Sequence, residues 1–130
     1  MLLEKQIENN ILMFLREIGI IAWKNQTVGI YDAKAKAYRK SNNVFHRKGV
    51  SDILGILPDG RFLAIEVKSK VGRPSPEQLK FISDIQSKNG IAFISRSVEQ
   101  TFDQLRHWLP ESDKFLNTAN KWTQYEGKLS

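Results

Sequence analysis

Asp52 opens an apolar run, Ile53-Leu54-Gly55-Ile56-Leu57, and Glu66 and Lys68 close a second one that begins at Phe62. Between the runs lies Pro58-Asp59-Gly60, a turn sequence, so the stretch predicts a β-hairpin with charges at its open end. Side chains alternate faces along a strand, so Glu66 and Lys68 share a face and Val67 points the other way. A three-residue loop pairs Leu57 with Arg61, Ile56 with Phe62 and Leu54 with Ala64, which sets Asp52 opposite Glu66. Opposed residues have Cβ atoms roughly 4.5–5.5 Å apart, and like charges there destabilise a sheet. Two carboxylates that close, with a lysine beside them, make sense if a divalent cation sits between them. A two-residue loop would put the acids on opposite faces and abolish the shared site. Without a cation the trio reads as an ion-pair cluster, Lys68 bridging two acids at a sheet end.

Asp52, a hairpin, then Glu66-Val67-Lys68 resembles the PD-(D/E)XK nuclease superfamily. The longer set Gly49-Val50-Ser51-Asp52, Asp59-Gly60-Arg61, Ile65-Glu66-Val67-Lys68 and Ser75-Pro76-Glu77-Gln78 is similar to its VRR-NUC branch, over roughly Glu4 to Leu105. Ser51 departs from the superfamily, in which a proline often precedes the aspartate. The resemblance implies a restriction-endonuclease-like core, a mixed α/β (α+β) architecture whose central sheet is flanked by helices. It implies hydrolysis of DNA phosphodiester bonds, with Asp52 and Glu66 as metal ligands, the Val67 carbonyl beside them and Gln78 near the site. It also implies a homodimer and a branched substrate such as a Holliday junction, flap or nicked duplex, hence a place in DNA repair or recombination.

Chemistry on the residues themselves agrees with that mechanism. Hard oxygen ligands suit magnesium, with manganese able to substitute. Lys68, on the face of Glu66, would orient or deprotonate the attacking water and stabilise developing charge. Two other readings stand beside the nuclease: a DNA-binding module that keeps the fold without catalysis, and a sequence-specific restriction-type enzyme. The first would be expected to lack a ligand or the lysine, and none is missing. The second needs a recognition domain for which this chain has little room.

A third acid is expected from the N-terminal helix that the spacing predicts over Leu2 to Ile18. Ile7, Ile11, Phe14, Leu15 and Ile18 recur at helical intervals and form one apolar face. At about 100° per residue Glu4 falls within that stripe and Glu8 on its margin. A carboxylate on a buried face is costly unless it is paired or bound to metal. Glu4, followed by Ile7 and Ile11, is also similar to the family's helical glutamate with isoleucines at i+3 and i+7, so Glu4 is the expected third site acid and Glu8 the reserve. The alternative is that Glu4 only favours the helix N-terminus through the macrodipole.

The remaining elements follow in order. Gly19 ends the helix and Ile20 to Trp23 reads as a strand. Val28 to Tyr31 and Ala37 to Arg39 read as strands of a basic hairpin. Ser75-Pro76-Glu77-Gln78 starts a helix by a capping box, with Leu79, Ile82 and Ile85 as its apolar face. Gln78 is a cap residue by local physics and a site residue by resemblance. Ile91 to Ile94 is a buried strand, and Ser97 opens a helix that Pro110 ends. The expected division is a nuclease domain over 1–110 and a C-terminal extension over 111–130, either a docked helix, an arm or a partly ordered tail.

Composition sets the outer limits. A chain of 130 residues, 41% hydrophobic and 26% charged, suits one globular domain. There is no cysteine to form a disulfide or bind zinc. No apolar run approaches the ~20 residues that span a membrane, and the N-terminus lacks a basic segment followed by an apolar stretch. A cytoplasmic protein is expected, bacterial or phage-encoded, with no membrane association and no small-molecule cofactor. The net charge of +6 is concentrated. Seven of the 20 basic residues but only one of the 14 acids, Asp32, lie between Lys24 and Lys48, so the remainder cancels. Lys34, Lys36, Arg39, Lys40, Arg47 and Lys48 there, with Lys70 and Arg73 after the hairpin, are the expected DNA-phosphate contacts. Tyr31, Tyr38, Phe45 and His46 interleave with them, as in surfaces that stack bases.

Overall fold

The computed structural model describes residues 1–26, 30–35, 37–39 and 44–129, with the backbone alone for 30–32 and 37–39. Helix α1 (Glu4–Glu17) leads into the edge strand β1 (Ile21–Lys24), which pairs antiparallel with β4 (Ile53–Ile56). Strand β4 pairs antiparallel with β5 (Phe62–Val67), which pairs parallel with β6 (Ile91–Ser95), giving a mixed sheet in the order β1-β4-β5-β6. A separate two-stranded ribbon, β2 (Ile30–Asp32) and β3 (Ala37–Arg39), pairs Tyr31 with Tyr38. Helix α2 (Pro76–Ser87) carries the chain from β5 to β6, and α3 (Val98–Leu105), a 3₁₀ turn (Arg106–Trp108) and α4 (Asp113–Leu129) follow.

The hairpin has the expected three-residue loop. Leu57 and Arg61 close it through Leu57 N–H to Arg61 O at 2.9 Å, and Gly60 takes a φ of +90°, which glycine adopts without strain. Leu54 pairs with Ala64 and Ile56 with Phe62, and the ladder ends at Ile53 with Ile65, so Asp52 and Glu66 are the next residues at that end of the two strands.

Helices cover both faces of the sheet. Ile7, Ile11, Phe14 and Leu15 of α1 pack with Val98, Phe102 and Leu105 of α3 onto Ile53, Leu63, Ile65 and Val67. The other face carries Ala64 and Ala92 under Phe81 and Ile82 of α2. The expected face of α2 needs one correction. Leu79 is 48% exposed and Phe81 is buried in its place. The helix is rotated so that Gln78, Phe81, Ile82 and Ile85 face the sheet, the i, i+3, i+4, i+7 set that begins at Gln78.

The C-terminal residues form a docked helix. Ala119, Trp122 and Glu126 of α4 are buried, and Lys121 pairs with Glu17 of α1 at 2.8 Å. Glu126 accepts a hydrogen bond from Val98 N–H at 2.7 Å and one from Asn10 Nδ2 at 3.3 Å. Its carboxylate thus satisfies an orphan donor in the first turn of α3 while tying three helices together. Burial raises the Glu126 pKa, and these two hydrogen bonds oppose the rise.

Gly49 explains the start of the Gly49-Val50-Ser51-Asp52 motif. Its φ is +80°, and a Cβ there would lie 2.4 Å from the Glu77 carbonyl carbon and 2.7 Å from Gln78 N. The strand that delivers Asp52 is therefore pressed on the first turn of α2, which delivers Gln78. Gly49→Ala should destabilise the fold by about 1–3 kcal/mol through the left-handed backbone alone, measured by chemical denaturation.

Candidate active site

Asp52, Glu66, Lys68 and Gln78 meet at one end of the sheet, on the face covered by α2. Asp52 lies just before β4, where its backbone carbonyl accepts from Asn25 N–H at 2.7 Å. Its side chain does what a strand residue would have done for β5: Oδ2 accepts from Val67 N–H at 2.8 Å. That bond fixes the carboxylate beside Glu66.

Glu66 is almost fully buried, at 1% exposure. Its Oε1 accepts from Gln78 Nε2 at 2.8 Å and lies 3.5 Å from Lys68 Nζ. Its Oε2 is buried with no hydrogen-bond partner among the described residues. Burial first, and then the neighbouring Asp52 carboxylate, push the Glu66 pKa up to about 8, with Lys68 pulling against them. At neutral pH the acid pair therefore holds a proton in the absence of any cation.

Gln78 caps α2 and also bonds Glu66. Its Oε1 accepts from Ser75 N–H at 2.9 Å while its own N–H donates to Ser75 Oγ at 3.1 Å, completing the capping box. That leaves Nε2 aimed at Glu66. The cap thus sets the orientation of the amide that holds the buried acid.

The two helix acids are placed differently from expectation. Glu4 is exposed at the first position of α1, while Glu8 is buried at 8%. Glu4 is the first, solvent-exposed residue of the helix, whereas Glu8 lies one turn further in. Glu8 pairs with Lys24 of β1 at 3.4 Å. Burial raises its pKa, with Lys24 opposing and Asp52 and Glu4 adding to the rise, so both helix acids and Asp52 share one electrostatic neighbourhood. Glu4 Oε2 lies close to Gly72, in the turn after Lys68. Among the described residues no three Asp, Glu or His side chains converge as a metal-binding group. The convergent acids are the pair Asp52 and Glu66.

That pair fits a divalent cation. The donor set is hard oxygen, the two carboxylates repel each other once both are ionised, and Glu66 Oε2 is buried with no hydrogen-bond partner among the described residues.

Of the expected DNA contacts, Lys34, Lys48, Lys70 and Arg73 are exposed. Arg47 is tied to α2 by an ion pair with Asp84 and lies 5.0 Å over the Phe81 ring. Lys36 and Lys40 lie outside the described residues, and only the backbone of Arg39 is described. Lys24, counted in the sequence only as part of a basic segment, proves to be the partner of Glu8. Its signal was its place at the end of an edge strand, opposite Ile53 and next to Asp52 in the register.

A four-stranded mixed sheet between helices, with an Asp and a Glu-x-Lys converging at one end, defines a PD-(D/E)XK-type nuclease core. The VRR-NUC domain matches residues 4–99, and the chain belongs to that family of nuclease domains acting on DNA. No curated protein matches it. Among the described residues no helix is long and apolar enough to cross a membrane.

Proposed function

We propose that this protein is a divalent-cation-dependent endonuclease that cuts branched or otherwise distorted DNA. The observation that carries the metal dependence is the approach of Asp52 to the buried Glu66, one of whose oxygens has no hydrogen-bond partner among the described residues. Asp52 and Glu66 would hold magnesium or manganese, joined by the Val67 main-chain carbonyl. Glu4 would support the site through water. A bound cation would supply an acidified water and a counter-charge for the phosphoryl oxygens. Gln78 holds Glu66 in one rotamer, and the Val67 N–H does the same for Asp52. Lys68 places its ammonium beside Glu66, where it orients the attacking water and stabilises charge as the phosphorane forms.

Preference for DNA shape is supported by the cations around the site. The exposed groups are lysines and arginine on loops, which contact phosphate and carry no base code. Replacing Lys48, Lys70 and Arg73 together with glutamine should weaken duplex binding and lower the salt slope by roughly 0.9 per lost phosphate contact. Titrations at several salt concentrations test this; an unchanged slope would place the docking surface elsewhere. A homodimer belongs to the same reading, because two strands of a junction need two sites. Ile21, Ile56 and Phe62, exposed in one row across β1, β4 and β5, are a surface such an assembly would cover. Cytoplasmic DNA repair or recombination is the corresponding setting.

A further inference from the structure

Arg96 follows β6 directly, and its side chain reaches back to the loop after β5. Nη1 donates to the Ser69 carbonyl and, at 2.8 Å, to the Gly72 carbonyl. The turn is also closed from within, since Gly72 N–H donates to Ser69 Oγ at 3.1 Å and lies 3.2 Å from Ser69 O. One guanidinium nitrogen thus gathers both ends of the turn that begins one residue after Lys68.

Contacts at Gly72 show what this closure does. A Cβ built there would lie 3.1 Å from Glu4 Oε2, 3.3 Å from Ser69 Oγ and 3.4 Å from Lys68 Cδ. The space beside the Gly72 backbone is thus too tight for a side chain and is bounded by the aliphatic arm of Lys68, the Ser69 hydroxyl and the Glu4 carboxylate. The Lys68 backbone is already anchored by its N–H to Ser95 O at 3.1 Å. Its four-carbon stem is not anchored by that bond and needs a wall to aim the ammonium at Glu66.

We propose that Arg96 is a positioning residue for this site. By holding the Ser69–Gly72 turn closed, it keeps Gly72 against the Lys68 side chain and presents Lys70 at a fixed place beside the cleavage centre. The inference rests on the nuclease reading above. Arg96 would touch neither DNA nor the reacting atoms. Its neighbours hold the fold without its side chain: Ser95 Oγ bonds Thr101 Oγ1 at 2.8 Å, Ser97 caps α3, and Arg96 N–H donates to Gln100 Oε1 at 2.8 Å. Removing the guanidinium should therefore loosen the turn and leave the domain folded. Lysine also carries several donors on one nitrogen, but on a shorter and more flexible arm than Nη1, so it should replace these contacts only in part.

The test compares wild type, Arg96→Ala, Arg96→Lys and Lys68→Ala in single-turnover cleavage with magnesium, beside DNA titrations and amide hydrogen exchange. Arg96→Ala should lower the cleavage rate by about 10²-fold with DNA affinity within about threefold of wild type, the signature of misplaced chemistry. Arg96→Lys should recover part of the rate. Added methylguanidinium should raise the rate of Arg96→Ala and leave Lys68→Ala unchanged. Exchange at the Gly72 amide should speed up in Arg96→Ala while the amides of β5 and β6 keep their protection. A wild-type rate in Arg96→Ala, a loss confined to DNA affinity, a loss that methylguanidinium does not relieve, or general loss of protection with no recovery in Arg96→Lys would each overturn the proposal. If wild type cleaves and Arg96→Ala matches it, this inference alone falls; if wild type cleaves nothing, the nuclease reading falls and takes it along.

Discussion

Lys68→Ala should reduce single-turnover cleavage by ~10²–10⁴-fold, the range for losing a positioned acid–base group, with DNA affinity and folding close to wild type. The side chain is only 12% exposed, and its ammonium lies 3.5 Å from Glu66 Oε1. In the proposed mechanism it would place a positive charge where the phosphoryl group gains negative charge. It also draws the Glu66 pKa down against burial and Asp52. The variant should accordingly need a higher pH or more cation to load the acid pair. Lys68→Arg keeps the charge but changes its shape, and should recover only part of the rate. Turnover that survives in Lys68→Ala would remove this residue from the mechanism.

Glu66→Gln should abolish cleavage and, in the metal-free protein, remove a pH dependence of stability. The sign follows from the raised carboxyl. Between about pH 4.5 and about 8 the folded protein keeps a proton on Glu66 that the unfolded chain has released. Stability contributed by that proton is full below about 4.5 and is lost as pH rises through about 8, with a slope approaching ~1.4 kcal/mol per pH unit within the window. Burial also raises Glu8 and Glu126, so the wild-type curve contains their contributions in the same direction. The difference between wild type and Glu66→Gln isolates Glu66. Thermal or urea melts across that pH range, in chelator, should show the difference growing with pH. Saturating magnesium or manganese should restore wild-type stability most at the alkaline end and release a proton near pH 7, with no such response in Glu66→Gln. Parallel pH curves for the two proteins would mean that Glu66 is not the group holding the proton.

How much of this was legible in the sequence depended on whether an interaction was local. The hairpin register could be read because Pro58-Asp59-Gly60 fixes the loop length, and the loop length fixes which face every later residue takes. The meeting of Asp52 and Glu66 follows from that count. Membership of the nuclease family was readable for the same reason, since its motif is a set of residues at fixed spacings on one hairpin and one helix start. Gln78 was half legible: the capping box is a local pattern, but the direction of its spare N–H depends on how α2 rolls over the sheet. The same roll exchanged Leu79 for Phe81. On the N-terminal helix, periodicity found the apolar face but ranked the two acids by angle alone. It did not contain the end of the helix, which leaves Glu4 exposed, or Lys24, which makes burial of Glu8 tolerable. Docking of the C-terminal helix was hidden because one of its inward residues is an acid, Glu126, whose partners Val98 and Asn10 lie far away in sequence. Arg96 had no local signature, as its bonds to Ser69 and Gly72 join loops at the ends of two parallel strands.

If Asp52 and Glu66 hold the metal that cuts DNA, cleavage must depend on both the cation and the acid pair. This is measured on a panel of linear duplex, single strand, flap, nicked duplex and four-way junction, with magnesium, manganese or chelator, on wild type beside Glu66→Ala. Cutting should require either metal, stop in chelator, be strongest on branched substrates and be absent in Glu66→Ala. Cutting that persists in chelator or in Glu66→Ala would contradict it, as would DNA that is bound but never cut with either metal.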